Sequence, residues 1–107
     1  MPGTHAFSLE RSDVYQLALR VNRQIASLRF PAGRGHLKNQ AIRAADSTVL
    51  NIAEGWERGP GDAARNHFRI ARGSAGEVFA VVELVDGPEE LRQELRRIGA
   101  MLTRLAR

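Results

Sequence analysis

Carboxylates and histidines are the side chains through which this cysteine-free sequence would do acid–base or metal chemistry. Glu54 and Glu77 are expected to lie about three helical turns apart, each beside an arginine on the neighbouring helix. That separation and those partners do not suit a catalytic carboxylate pair. His5, His36 and His67 are far apart in sequence, and no glutamate has a histidine three residues later, as di-iron bundles require. Phosphate-loop, dinucleotide-binding and nucleophile-elbow motifs are also absent. We therefore predict a non-enzymatic protein with no catalytic residue, metal or cofactor.

Arginine is the remaining side chain with a clear chemical use. It supplies 15 of the 16 basic residues, against 12 acidic residues. A planar guanidinium binds phosphate or carboxylate through two hydrogen bonds, although arginine enrichment can equally reflect a GC-rich genome. Arg65, Arg69 and Arg72 are spaced to share one flank of a helix. The predicted nucleic-acid contacts are Arg58, Arg65, Arg69, Arg72, Lys38, Arg20 and Arg23. The alternative is a solvated basic flank without a ligand.

Four predicted helices would position these residues. Apolar residues recur at helical spacing over residues 12–28, 36–58, 62–85 and 88–107, and proline or glycine interrupts the pattern between them. Ser12 and Asp62 are the predicted N-caps of the first and third helices. Because the connections are short, we predict an all-α, antiparallel up-down four-helix bundle over residues 12–107. Residues 1–11 are predicted to form a flexible N-terminal arm.

The cellular location follows from what the sequence lacks. Its start has no basic segment followed by an apolar run, and no apolar stretch approaches about 18 residues. A chain without cysteine is compatible with a reducing cytosol. We expect a cytoplasmic protein with no membrane partner.

The second and third helices carry apolar and small residues on the side opposite their core stripe. A monomeric bundle would place solvated charges there, so this pattern predicts burial against another subunit. Gly73 supports that interpretation, because a glycine within a helix costs about 1 kcal/mol relative to alanine. The predicted subunit-interface residues are Arg43, Ser47, Leu50, Asn51, Glu54, Ile70, Gly73, Glu77 and Leu84.

The Gly-Pro-Gly turn between these helices sets their register. If the helices are antiparallel about Pro60, Arg43 lies level with Glu77, and Glu54 lies level with Arg65 and Asn66. A carboxylate buried on an apolar face needs a cationic partner. We therefore predict that Glu54 and Glu77 form interface ion pairs.

Two segments resemble a known protein family. Residues 43–55, RAADSTVLNIAEG, and residues 67–77, HFRIARGSAGE, resemble the four-helix-bundle proteins encoded in intervening sequences of bacterial 23S ribosomal RNA genes. The resemblance covers residues 12–85 and continues weakly into the fourth helix, although this chain is nearly free of lysine and has a shorter link before that helix. The positions that match the family pattern are Arg43, Asn51, Glu54, Gly55, Gly73, Ser74 and Glu77.

The resemblance implies a cytosolic bacterial bundle assembled as a homopentameric ring. It also implies kinship with the accessory (Avd-like) proteins of diversity-generating retroelements, which bind nucleic acid and partner a reverse transcriptase. We therefore expect an oligomeric RNA-binding accessory protein, with a reverse transcriptase as a candidate partner. The alternative is a ring-shaped protein-interaction scaffold whose arginines only maintain solubility.

Overall fold

The computed structural model describes residues 7–107 and contains four α-helices and one short 3-10 helix. The α-helices are α1 (Asp13–Ser27), α2 (Gly35–Arg58), α3 (Asp62–Leu84) and α4 (Glu89–Leu105), and the 3-10 helix spans Ser8–Arg11. No β-strand occurs within residues 7–107. The predicted all-α fold with four helices is confirmed, and the helix ends lie close to the predicted ones.

The first helix begins as predicted and the third does not. Ser12 caps α1, because its buried hydroxyl accepts a hydrogen bond from the backbone N–H of Tyr15 at 3.3 Å. Asp62, the predicted cap of α3, is instead its first residue, and Gly61 occupies the cap position without a side-chain hydrogen bond. Gly59 and Gly61 have φ angles of +74° and +143°, which only glycine adopts readily, so the turn around Pro60 requires both.

The four helices enclose one apolar core. Each α-helix contacts two others, and the contact between α2 and α3 is the most extensive. The predicted core stripes are confirmed by the fully buried residues Ile25, Ile52, Val78 and Ile98. Phe68 packs against Gly55 so closely that a Cβ there would lie 2.8 Å from the ring. Helix α2 therefore needs a glycine at this position.

The link between α3 and α4 is held by charge and by close packing. The N–H of Gly87 donates to the carbonyl of Val82 at 2.8 Å, and a Cβ at Gly87 would lie 2.9 Å from the Val82 side chain. Arg92 forms ion pairs with Glu83, Asp86 and Glu89 at 3.6, 2.9 and 3.3 Å. This arginine clamp joins the end of α3 to the start of α4.

The N-terminal segment packs against the end of α2. Residues 1–6 of the predicted flexible arm, including His5, lie outside the described residues. Within the remainder, Leu9 is buried, and the hydroxyl of Ser8 accepts a hydrogen bond from Trp56 Nε1 at 3.0 Å. The sequence did not predict this 3-10 helix. Within residues 7–107, no helix is both long and apolar enough to cross a membrane.

Candidate subunit and nucleic-acid interfaces

A chain of polar side chains crosses the boundary between α2 and α3 on their outer side. The hydroxyl oxygens of Ser47 and Ser74 lie 2.8 Å apart, within hydrogen-bond distance. Asn51 Nδ2 donates to the carbonyl and the hydroxyl of Ser47, at 3.0 and 3.2 Å. Asn51 Oδ1 lies 3.0 Å from His67 Nδ1. Because the amide oxygen can only accept, Nδ1 of His67 carries the proton and Nε2 is left for another partner.

These contacts agree with the predicted register of α2 and α3. Ser47 meets Ser74, and four residues later Asn51 meets His67. The two helices therefore run past each other in opposite directions, with Pro60 at their turn. Sequence spacing places His67 only on a helix flank. His67 and Asn51 are separated from Pro60 by similar numbers of residues, and this is the sequence signal that would have predicted their contact.

The ion pairs within the chain differ from those that the register suggested. Glu54 pairs with Arg58, one turn further along α2, at 3.6 Å. Arg65 pairs with Asp62 on its own helix. Within the described chain, no ion pair joins Arg43 to Glu77, and both side chains are exposed. Neighbours on the same helix are always within reach, so they compete with a partner on the facing helix.

Three large aliphatic side chains of α2 and α3 remain exposed. Leu50 is 64%, Leu84 58% and Ile70 44% exposed, and all three occupy positions predicted to face another subunit. Gly73 lies between the two α3 positions, and a Cβ added to it would meet nothing within 4 Å. We call this surface the α2–α3 outer face, defined by Arg43, Ser47, Leu50, Asn51, Glu54, Ile70, Gly73, Glu77 and Leu84. Among residues 7–107 of one chain, nothing covers its aliphatic side chains.

The seven cations predicted to contact nucleic acid differ in burial and in whether they already form an ion pair. Arg20 pairs with Glu94 at 3.2 Å, and Arg58 and Arg65 have the carboxylate partners given above. Arg23, Arg69 and Arg72 are exposed and form no ion pair within residues 7–107, and Lys38 is half-buried. Their placement also separates them, since Arg20 and Arg23 line a cavity along α1, whereas Arg72 lines a groove between α3 and α4.

The groove between α3 and α4 adds a cation outside the predicted set. The acidic residues around Arg96 in the sequence suggest that its charge is neutralised, and it does pair with Glu89 at 3.0 Å. Its guanidinium also lies over the ring of Phe79, 5.3 Å from the centroid. Arg72 and Arg96 line the same groove, and Gly76 and Gly99 keep it open. Arg96 therefore joins the candidate cations on this side of α3.

No cluster of three metal-ligating side chains is present within residues 7–107. Comparison with curated proteins and with solved structures gave no match. The sequence model of the family described as "23S rRNA-intervening sequence protein" matches residues 10–104. This match includes all four α-helices except the last residue of α4, together with both candidate surfaces. The chain therefore belongs to the 23S rRNA-intervening sequence protein family.

Proposed function

We propose that this protein is a non-enzymatic RNA-binding protein that assembles through the α2–α3 outer face. In this proposal the helices form an up-down bundle and the subunits close into a cytoplasmic ring, five in number by the family resemblance. The observation that carries it is the division of α3 into two surfaces. Ile70 and Leu84 lie exposed on the outer face, whereas Arg69 and Arg72 lie on the other flank without ion pairs in the described chain.

This division supports assembly and RNA binding at the same time. Burying Leu50, Ile70 and Leu84 against a neighbour removes exposed apolar surface from water, which favours association. The arginines on the other flank stay in solvent and repeat around the ring. Repeated guanidinium groups in solvent can follow a phosphate backbone, and binding of this kind depends weakly on base sequence. A reverse transcriptase is the proposed protein partner, by the resemblance to retroelement accessory proteins.

The test is the salt dependence of binding to a labelled, structured RNA. For the double variant Arg69→Gln/Arg72→Gln, we expect the slope of log K against log salt to fall by roughly 0.7–0.9 for every phosphate that the protein no longer neutralises. The matched control is Arg97→Gln/Arg104→Gln, because both arginines are exposed on α4 without ion pairs in the described chain. An equal change in both variants would mean that binding responds only to net charge.

A protein-interaction scaffold is the second candidate function. The observation that favours it is that Arg20, Arg58 and Arg65 each already pair with a carboxylate. Fewer cations are therefore available for phosphate than the sequence suggested. Under this alternative the ring forms, but the wild-type protein binds no structured RNA near physiological salt. The same titration therefore separates the two functions.

A further inference from the structure

A cavity of about 310 Å³ opens at the end of the bundle where α2 turns into α3. Its walls include Trp56, Phe68, Leu105 and Pro60, and the cations beside it are Arg65 and Arg107. No acidic side chain is among its described lining residues. A predominantly apolar cavity with a few convergent polar groups is the usual form of a small-ligand site, and this volume is near the lower end of that range.

The two aromatic rings of the cavity are fixed by specific contacts. Phe68 reaches its position only because Gly55 has no side chain, since a Cβ there would be 2.8 Å from the ring. The indole N–H of Trp56 donates to Ser8, so the one polar atom of that ring is already satisfied. What remains for a ligand is chiefly the apolar surface of the half-buried Trp56 ring, beside the buried edge of Phe68. Sequence spacing favours a core position for most aromatic residues, whereas Trp56 is only half-buried.

The cations give the cavity a preference for an anionic ligand. Arg65 is bonded to Asp62, but that carboxylate is 98% exposed, and exposed ion pairs contribute little to stability. A phosphate can therefore displace Asp62 from the guanidinium, or share it, at small cost. An aromatic surface beside cations matches the two parts of a nucleotide, its base and its phosphate.

We propose that this cavity binds one unpaired nucleobase of RNA and that Arg65 and Arg107 contact the adjacent phosphates. The inference rests on the RNA binding proposed above and gives it a preferred substrate, single-stranded or looped RNA. Because every base has an aromatic face, the site accepts different bases. A paired base is stacked within its duplex and does not enter the cavity.

Trp56 provides a direct readout because it is the only tryptophan in the chain. We would titrate the full chain with a single-stranded RNA octamer and with a duplex of equal total phosphate, measuring Trp56 fluorescence and the anisotropy of labelled RNA together. A base against the indole quenches its fluorescence. We expect saturable quenching by the single strand and none by the duplex.

Two variants and one control test the assignment. Arg65→Gln/Arg107→Gln should weaken the quenching interaction roughly fivefold or more, and Leu105→Phe, which fills the cavity, should abolish the quenching. Arg97→Gln, remote from the cavity lining, should leave it unchanged. If Leu105→Phe does not fold, the double arginine variant still tests the assignment through its effect on the quenching.

The outcomes separate this inference from the proposed function. RNA binding by anisotropy without quenching of Trp56 overturns the cavity site and leaves the RNA-binding proposal standing. Absence of binding to both RNAs overturns the RNA-binding proposal and the inference together. Quenching by N-acetylphenylalanine but not by the octamer also overturns the inference, because the cavity then takes an apolar side chain with a carboxylate.

Discussion

The hydroxyl oxygens of Ser47 and Ser74 lie 2.8 Å apart and join α2 to α3 on their outer side. Neither residue belongs to the apolar core, yet together with Asn51 and His67 they form a continuous hydrogen-bonded chain. A chain of this kind holds two helices at one register, because a shift of either helix would break both contacts between them, Ser47 with Ser74 and Asn51 with His67. This arrangement gives the exposed aliphatic side chains on both helices fixed relative positions.

We expect Asn51→Leu to destabilise the protein by about 1–2 kcal/mol, because it removes the acceptor of the partly buried His67 Nδ1 and a donor to Ser47. Urea unfolding at one fixed protein concentration would measure the change. Asn39→Leu is the matched control, since Asn39 is an exposed asparagine on the same helix. Equal effects of both substitutions would contradict a stabilising role for the polar chain.

Leu50→Arg and Leu84→Arg are each expected to convert the assembly to monomers at micromolar concentration. Each places a charge at the proposed interface, where burial without a counterion would be costly. Light scattering coupled to size-exclusion chromatography measures the mass directly. Gln93→Arg, an exposed position on α4, should leave the mass unchanged. A wild-type protein that is already monomeric would remove the basis for this interface.

Arg43 and Glu77 are expected to pair between neighbouring subunits. Both are exposed on the α2–α3 outer face and have no ion pair within the described chain, so assembly would bury two charges that need partners. Arg43→Ala and Glu77→Ala should each weaken assembly, and the double variant should cost less than the sum. Glu90→Ala, at an exposed position on α4, should have little effect. Strictly additive effects would show that the two residues do not interact.

Gly55→Ala should destabilise the fold by about 1–3 kcal/mol, because the added methyl group meets the Phe68 ring at 2.8 Å and forces repacking. Gly76→Ala is the matched comparison, since a Cβ there meets nothing within 4 Å. It should stabilise α3 by about 1 kcal/mol through its better helix propensity. Thermal unfolding of both variants gives the comparison. A shift of the same sign in both would contradict the close approach at Gly55.

The arginine clamp between α3 and α4 predicts a dependence of stability on pH. Hydrogen bonds from Arg96 and Arg92 lower the pKa of Glu89 below its ordinary value of 4.5. A lowered folded-state pKa gives stability that is present above 4.5 and is lost as the pH falls through the folded-state value. Unfolding measured from about pH 6 to about pH 3 should therefore show a smaller decrease in stability at acid pH for Glu89→Gln than for the wild type. Glu90 forms no ion pair in the described chain, so Glu90→Gln should show the same decrease in stability at acid pH as the wild type.

Periodicity was sufficient to predict the helices and the exposed aliphatic positions. Leu50, Ile70 and Leu84 stand opposite core residues that the same spacing identified, and the structure leaves all three exposed. The contact between Ser47 and Ser74 also follows from the position of the turn at Pro60. These features depend on helix geometry alone, which sequence spacing encodes directly.

Sequence spacing predicted two kinds of contact less well: ion pairs for which several partners compete, and side-chain packing at the ends of the bundle. Arg58, on the same helix, is the partner of Glu54, whereas the register suggested Arg65. Trp56 has the spacing of a core residue, but its exposure depends on how the 3-10 helix and the end of α4 pack around it. Periodicity within one helix contains no information about such packing between distant segments.

The extensive contact between α2 and α3 has a consequence for the order of folding. These helices are joined by a short turn, so their contacts form between residues close in sequence and require little loop closure. The contact between α1 and α4, at opposite ends of the chain, is the least extensive among the α-helix pairs that touch and closes the longest loop. We expect substitutions between α2 and α3 to slow folding, and those between α1 and α4 mainly to accelerate unfolding. The hairpin of α2 and α3 would then act as the nucleus on which both terminal helices condense.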